Sequence, residues 1–253
     1  AQRAMFAYQE AGMNSSKPVS RGLIVMGTII VQMGLGTIYT WSLFNQPLVE
    51  KFHWALGDVA TTFSITSFSL AIATLFAGRL QERLGIRRLT LLAGLLLGCG
   101  LIASAYATSL TQFYLLAGFV VGFADGTAYI TTLSNLIKWF PERKGLISGV
   151  SVGAFGTGSL LFKYVNAELI AQAGVSQAFL YWGVIVMALI AAGSLLLKEK
   201  KVPAQPAAQH TQAGKPDFSV AEMLKTKEAY LLFLIFFTAC MSGLYLIGIV
   251  KDI

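Results

Sequence analysis

Charge is scarce in this sequence. Asp, Glu, Lys and Arg make up 12% of its 253 residues, whereas a water-soluble globular domain carries about 25%. With 55% hydrophobic residues and a mean hydropathy of +0.66, too little polar surface remains to wrap a particle in water, which excludes the soluble classes first. Histidine is nearly absent: His53 and His210 stand alone, the second in a polar stretch where a solvated side chain suffices. No HExxH and no Ser/His/Asp set occurs, so the sequence offers no catalytic machinery and no metal centre. No cofactor is expected either. Cysteine is limited to Cys99 and Cys240, each inside an apolar run; they are read as small buried hydrophobes and form no disulfide framework. An initiator methionine is missing from the opening AQRAMFAYQEAG, which also lacks the apolar core of a signal peptide. Met13 is the more natural start, and residues 1–20 are expected to form a disordered tail.

Long apolar runs are what the sequence does have. A spanning helix needs ~20 mostly apolar residues, because the hydrocarbon core is ~30 Å thick and each residue rises ~1.5 Å. Seven segments satisfy this: Gly22–Val49, Val59–Leu80, Leu89–Thr108, Gln112–Trp139, Gly145–Ala167, Gln177–Leu197 and Ala229–Val250. The fold class expected is therefore an all-α polytopic membrane protein.

The formal charge of +7 does not mark a nucleic-acid binder, because the bases form short clusters between apolar runs with no interleaved aromatic face. Their placement alternates instead. Lys17 and Arg21 precede the first span; Arg79, Arg83, Arg87 and Arg88 fill the second-to-third link. Lys138, Arg143 and Lys144 mark the fourth-to-fifth link, and six lysines lie between Lys198 and Lys227. The other side carries only Lys51 and Lys163. The positive-inside rule then puts the amino terminus and the even-numbered links in the cytoplasm.

Residues 198–228 form the extended polar stretch. Its Pro/Ala/Gln-rich part reads as a linker, and DFSVAEMLKTKEA as a short amphipathic helix on the inner membrane face. The organisation expected is a six-span unit over 21–197, a cytoplasmic linker over 198–228, and a seventh span over 229–253. Because the last residue, Ile253, falls at a helix end, the chain is read as a fragment whose carboxy-terminal half is missing.

The second-to-third link reads Gly78-Arg79-Leu80-Gln81-Glu82-Arg83-Leu84-Gly85-Ile86-Arg87-Arg88. Gly78 would allow close helix approach and Gly85 the tight reversal, while the arginines can pair with carboxylates and lipid phosphates. The string resembles the cytoplasmic loop signature of the major facilitator superfamily, with Glu82 where Asp is commoner. Gly78, Glu82, Arg83, Gly85, Arg87 and Arg88 would then form a cytoplasmic gate motif. GTIYTWSLFNQPL, KWFPERKGLISG and FSVAEMLKTKEAYLL are similar to the oxalate/formate antiporter family. The ending TACMSGLYLIG is closer still to the enterobacterial branch of that family, which includes a pyruvate-induced transporter. The resemblance implies a twelve-span transporter of small organic anions working by alternating access, of which this chain would hold the first half and one further helix.

Ionisable residues at membrane depth are costly and mark functional hypotheses. Asp125, fourteen residues before Trp139, lies ~21 Å from the shared link, and Lys163, eighteen residues after Gly145, ~27 Å. An Asp125–Lys163 ion pair near the cavity is expected, with Lys163 as cation for a carboxylate or Asp125 as a proton-coupling group. The aromatics Tyr39, Trp41, Tyr129 and Phe155 also sit away from span ends and, with Asp125 and Lys163, are the expected substrate-cavity residues. By the resemblance, Tyr39, Tyr129 and Phe155 match family positions that line the substrate cavity, Phe155 standing where the oxalate transporter has a tyrosine. Small residues recur every fourth position, at Gly118, Gly122 and Gly126 and at Gly145, Gly149 and Gly153, a pattern that lets helices pack closely in lipid.

Secondary transport of a pyruvate-, oxalate- or formate-like anion is the reading these features favour. A seven-helix receptor or pump is the alternative, opposed by the internal amino terminus and by Lys251 at the far end of its span. A membrane enzyme lacks candidate residues, and a channel lacks a filter-like motif. The partners expected are a small organic anion, the lipid bilayer and the remaining half, with no nucleic acid.

Overall fold

The computed structural model describes residues 20–200 and 220–249, and every regular element among them is helical. The expected amino-terminal tail, the linker part containing His210, and the last four residues lie outside the described residues. In chain order the elements are α1 (Arg21–Gly36), a 3₁₀ turn (Thr37–Thr40), α2 (Ser42–Phe52), α3 (Leu56–Leu84) and α4 (Ile86–Ser104). A single turn, α5 (Leu110–Phe113), leads through a π-helical stretch (Tyr114–Val120) into α6 (Val121–Trp139). A short 3₁₀ link (Pro141–Arg143) precedes α7 (Lys144–Leu196), and α8 (Val220–Met223) and α9 (Lys227–Ile249) follow.

Among the described residues five helical stretches have the length and composition to cross a bilayer: Arg21–Thr40, Leu56–Leu84, Ile86–Ser104, Leu110–Trp139 and Pro141–Leu196. The last has 56 residues, far more than one crossing needs. It bends at Gly174 (φ 78°, ψ 166°), a backbone region open almost only to glycine. Its two arms, residues 144–173 and 175–196, correspond to the expected fifth and sixth spans. The 23-residue α9 corresponds to the seventh. The polytopic all-helical class is borne out.

Within this bundle α1 is held by both arms of α7. A Cβ on Gly36 would collide with the Phe155 carbonyl oxygen, and one on Gly158 with the Met33 carbonyl oxygen. Further along, Gly27 lies against Gly193 and the second arm. Side chains add to these backbone contacts: the Trp182 indole donates to Thr37 Oγ1 (2.9 Å), and Asn166 Nδ2 donates to Thr40 Oγ1 (2.8 Å).

The expected glycine rows divide. Gly118, Gly122 and Gly126 do pack against Ile65, Thr66 and Leu70 of α3. A Cβ on Gly145, Gly149 or Gly153 would meet nothing within 4 Å among the described residues. The reason is helical phase: α7 buries Ile147, Ser151, Ala154 and Phe155, which leaves the glycine row on the opposite side. A Cβ on Gly78 would likewise meet nothing within 4 Å, so Gly78 makes no close approach here. Gly85 does turn the chain, at φ 74°. Cys99 is exposed rather than buried, and Cys240 is half-buried; both thiols are free.

One end of the bundle carries most of the exposed bases. There the Arg21 guanidinium bonds Glu142 at 2.7 Å and lies over the Phe140 ring. Both ion-pair partners are about half exposed, so water and salt screen the pair and it adds little to stability. The Lys198 carbonyl accepts from Asn135 Nδ2 (3.1 Å) and Trp139 Nε1 (2.9 Å), which seats the end of α7 on α6.

Candidate functional site

A cavity of about 430 Å³ opens where the 3₁₀ turn, α3, α6, the first arm of α7 and α9 meet. Each element contributes through its helical face. The 3₁₀ turn forms where Thr37 and Thr40 return hydroxyl bonds to the carbonyls of Gly34 (2.8 Å) and Thr37 (2.7 Å), and it turns Ile38 and Tyr39 to the cavity. From α3 come Phe63, Thr66, Ser67 and Leu70, positions that share one face at the helical period. Tyr129 closes the α6 side, Val152, Phe155 and Gly156 the α7 side, and Cys240 and Gly243 the α9 side.

At its centre three aromatic rings interlock. Tyr39 and Tyr129 both meet Phe155 edge-to-face, with centroids 5.0 and 5.3 Å away. The hydroxyls on α3 are already engaged: Thr66 Oγ1 donates to Thr62 O (2.9 Å) or Ala117 O (3.2 Å), and Ser67 Oγ to Phe63 O (2.9 Å). The phenol groups of Tyr39 and Tyr129 are therefore the polar groups best placed to donate into an otherwise apolar cavity.

Asp125 sits one helical turn from Tyr129 and is fully buried. Neither of its carboxyl oxygens has a hydrogen-bond partner among the described residues. One turn from the cavity residue Tyr129 yet not itself in the lining, the carboxyl group stands behind the aromatic wall.

The six cavity residues expected from sequence are thus only partly brought together. Tyr39, Tyr129 and Phe155 line the cavity, with Asp125 behind them. Trp41 does not: it is 1% exposed and packs at 5.8–6.4 Å against Phe113, Phe179 and Phe44 inside the hydrophobic core. The Asp125–Lys163 ion pair is also absent. Lys163 is exposed, because Phe155, Gly158 and Phe162 form the buried stripe of that arm and Lys163 is turned about 100° from Phe162. Similar depth along two helices suggested that these charges meet; helical phase separates them.

The gate residues Glu82, Arg83, Arg87 and Arg88 are exposed at the basic end. Gln81, next to them, is buried and its amide donates to Glu199 Oε1 at 3.1 Å. Sequence reasoning missed Phe63, Thr66, Ser67, Leu70 and Cys240 as cavity residues. The i, i+3, i+4, i+7 spacing on α3 was available as a signal, but ordinary core packing produces the same spacing.

Comparison with known proteins follows the same lines. The family model described as Major Facilitator Superfamily matches residues 24–251. The Escherichia coli (strain K12) protein named as the uncharacterized MFS-type transporter YhjX is 44% identical over 234 residues, which is 92% of this chain and 58% of that protein. The Oxalate:formate antiporter of Oxalobacter formigenes is 27% identical over 229 residues, 89% of this chain and 53% of the antiporter. Apicoplast pyruvate carrier 1 of Toxoplasma gondii is 28% identical over 196 residues, 62% of this chain and 36% of the carrier. The chain spans 58% or less of the length of each of these relatives.

Proposed function

This chain belongs to the Major Facilitator Superfamily, and from that premise we propose that it supplies the amino-terminal part of a secondary transporter for a small carboxylate anion. The observation that carries this reading is the pair of phenol hydroxyls, Tyr39 and Tyr129, set around Phe155 on the wall of a cavity large enough for such an anion. A carboxylate can accept from both phenols while its short carbon skeleton lies against Phe63, Leu70 and Phe155. The relatives named for oxalate, formate and pyruvate support this substrate class.

In the same proposal residues 21–197 form the six-span half, 198–228 the linker, and 229–253 the first span of a second half. The protein lies in the bacterial inner membrane with its amino terminus inside, and the two halves rock about the cavity. Asp125 is its proton-coupling group. An uncompensated carboxylate is costly at this burial, and a bound anion near the same two tyrosines would add like-charge repulsion. Anion binding and proton uptake at Asp125 therefore favour one another by linkage.

The full-length protein carrying this chain, reconstituted in liposomes, tests the proposal by counterflow of pyruvate, oxalate, formate and lactate. Counterflow of at least one is expected, with a loss of about tenfold or more in Tyr129→Phe, equivalent to roughly 1.4 kcal/mol of anion stabilisation. In Asp125→Asn the pH dependence of uptake should flatten. No counterflow of any of the four anions would discard the substrate class, and an unaltered pH profile in Asp125→Asn would discard the proton role.

A further inference from the structure

Asp125 is not the only buried side chain on this side of α6 that lacks a donor. Gln32 of α1 and Asn135 of α6 are both 0% exposed, and each has an acceptor, Gln32 Oε1 and Asn135 Oδ1, with no partner among the described residues. Their amide nitrogens show why the two residues stay buried. Gln32 Nε2 donates to the Tyr129 carbonyl (3.3 Å) and to Thr132 Oγ1 (3.1 Å), tying α1 to α6 just below the aromatic wall. Asn135 Nδ2 donates to the Lys198 carbonyl at the basic end. Their oxygens remain to be satisfied.

On α6, Thr132 lies two turns from Asp125 on one face, and Asn135 follows one turn later. The run from Asp125 to Asn135 is ~15 Å along the axis. It joins the wall of the cavity to the end of the molecule that carries the bases. Leu136, one residue on, closes the α1 side at that level in a small apolar cluster with Ile24 and Ile147, so Asn135 supplies the polar side of α6 toward the end of α7. Buried acceptors in a polar seam are satisfied by internal water, each molecule making two to four hydrogen bonds.

We propose that the seam running from the α1–α6 contact at Gln32 to the contact of α6 with the end of α7 at Asn135 is a hydrated proton route that serves Asp125 from the basic end, with these two amides as its polar stations. The inference rests on the reading of Asp125 as the proton-coupling group and adds the route by which the proton arrives. In the transfer an O–H bond forms at one Asp125 carboxyl oxygen as one breaks on the adjacent water. That water is reprotonated by the next along the seam, and the net proton comes from solvent beyond Asn135. Gln32 and Asn135 act as positioning residues, holding water rather than carrying the charge.

Few other titratable groups face Asp125. Tyr39 of the 3₁₀ turn and Tyr129 of α6 are in reach. From α1 beyond Arg21, from the α3 stretch Thr62–Leu70, and from the α7 stretch Ile147–Phe162 no ionisable side chain is presented. The arginines of α4 lie at its basic end and its Cys99 is exposed; Tyr114 of the π-helical stretch bonds the Asp58 carbonyl at the other end. On α9, Cys240 is the cavity thiol.

Infrared spectroscopy of the full-length protein reads the route directly, without a substrate. At acidic pH the protonated carboxyl band of Asp125, identified by its loss in Asp125→Asn, shifts on transfer to D₂O at a measurable rate. Blocking the seam with Gln32→Leu should slow that exchange about tenfold, the effect of one added barrier of modest height. Gln32→Ser, which puts a hydroxyl in place of the amide and so keeps a polar group in the seam, should stay near the wild-type rate, and Asn135→Leu provides the same measurement should Gln32→Leu fail to fold. Wild-type exchange rates in the leucine variants would overturn the route and leave the role of Asp125 standing. A wild-type spectrum with no Asp125 carboxyl band at acidic pH would overturn both.

Discussion

A Cβ on Gly36 has nowhere to go but the Phe155 carbonyl, so the backbones of α1 and α7 touch at the level of the cavity. Gly36→Ala should force the two helices apart and cost about 1–3 kcal/mol, as overpacking does elsewhere. Gly57→Ala is the matched control, since a Cβ there would meet nothing within 4 Å among the described residues and alanine favours the helix. Thermal unfolding in detergent should show a lower midpoint for the first and an unchanged or slightly raised one for the second. At this scale the sequence revealed which residues carry chemistry more readily than where they point. Asp125 stands out in an apolar run by its cost alone. Lys163 stands out for the same reason, yet its position one step past the buried stripe turns it outward. Gln32 and Asn135 gave no warning, because neutral amides among apolar residues carry no such cost until their burial is known.

The elements were legible wherever bilayer thickness dictates them. An apolar run long enough to span lipid becomes a helix because every backbone polar group must be satisfied within it. The irregular stretches were not legible, because neighbouring helices select them. The π-helical stretch Tyr114–Val120 is one of these: Ser69 Oγ on α3 donates to the Phe119 carbonyl (2.7 Å), and Thr66 Oγ1 reaches the Ala117 carbonyl. Two hydroxyls on another helix thus capture carbonyls inside the stretch, at the same level as the Thr66 and Ser67 cavity wall. Ser69→Ala removes one of these ties and should lower stability by ~0.6–1.7 kcal/mol, the range for polar contacts between membrane helices. Detergent unfolding checks the magnitude. A larger loss would mean that the π-helical geometry itself depends on the Ser69 bond.

At the scale of the whole molecule the two ends differ in charge, and that difference carries the orientation. Arg21, Arg83, Arg87, Arg88, Arg143, Lys144 and Lys198 are all exposed at one end. At the other, Lys51 reaches Ser176 just past the Gly174 bend. A membrane protein keeps its exposed bases on the cytoplasmic side, because insertion against the membrane potential and translocation of basic loops are both unfavourable. Lys144 and Lys51 are therefore expected on opposite sides of the bilayer, Lys144 inside. The free thiols complicate a labelling test, since Cys99 is exposed and Cys240 lines the cavity; a Cys99→Ser, Cys240→Ser background removes both. On that background a membrane-impermeant maleimide added to intact cells should modify Lys51→Cys and spare Lys144→Cys until the membrane is opened. The reverse pattern would place the basic end outside, and with it the mouth of the seam. Proton entry from the cytoplasm and the inward amino terminus would then fail together, because both depend on which face of the bilayer those seven bases occupy.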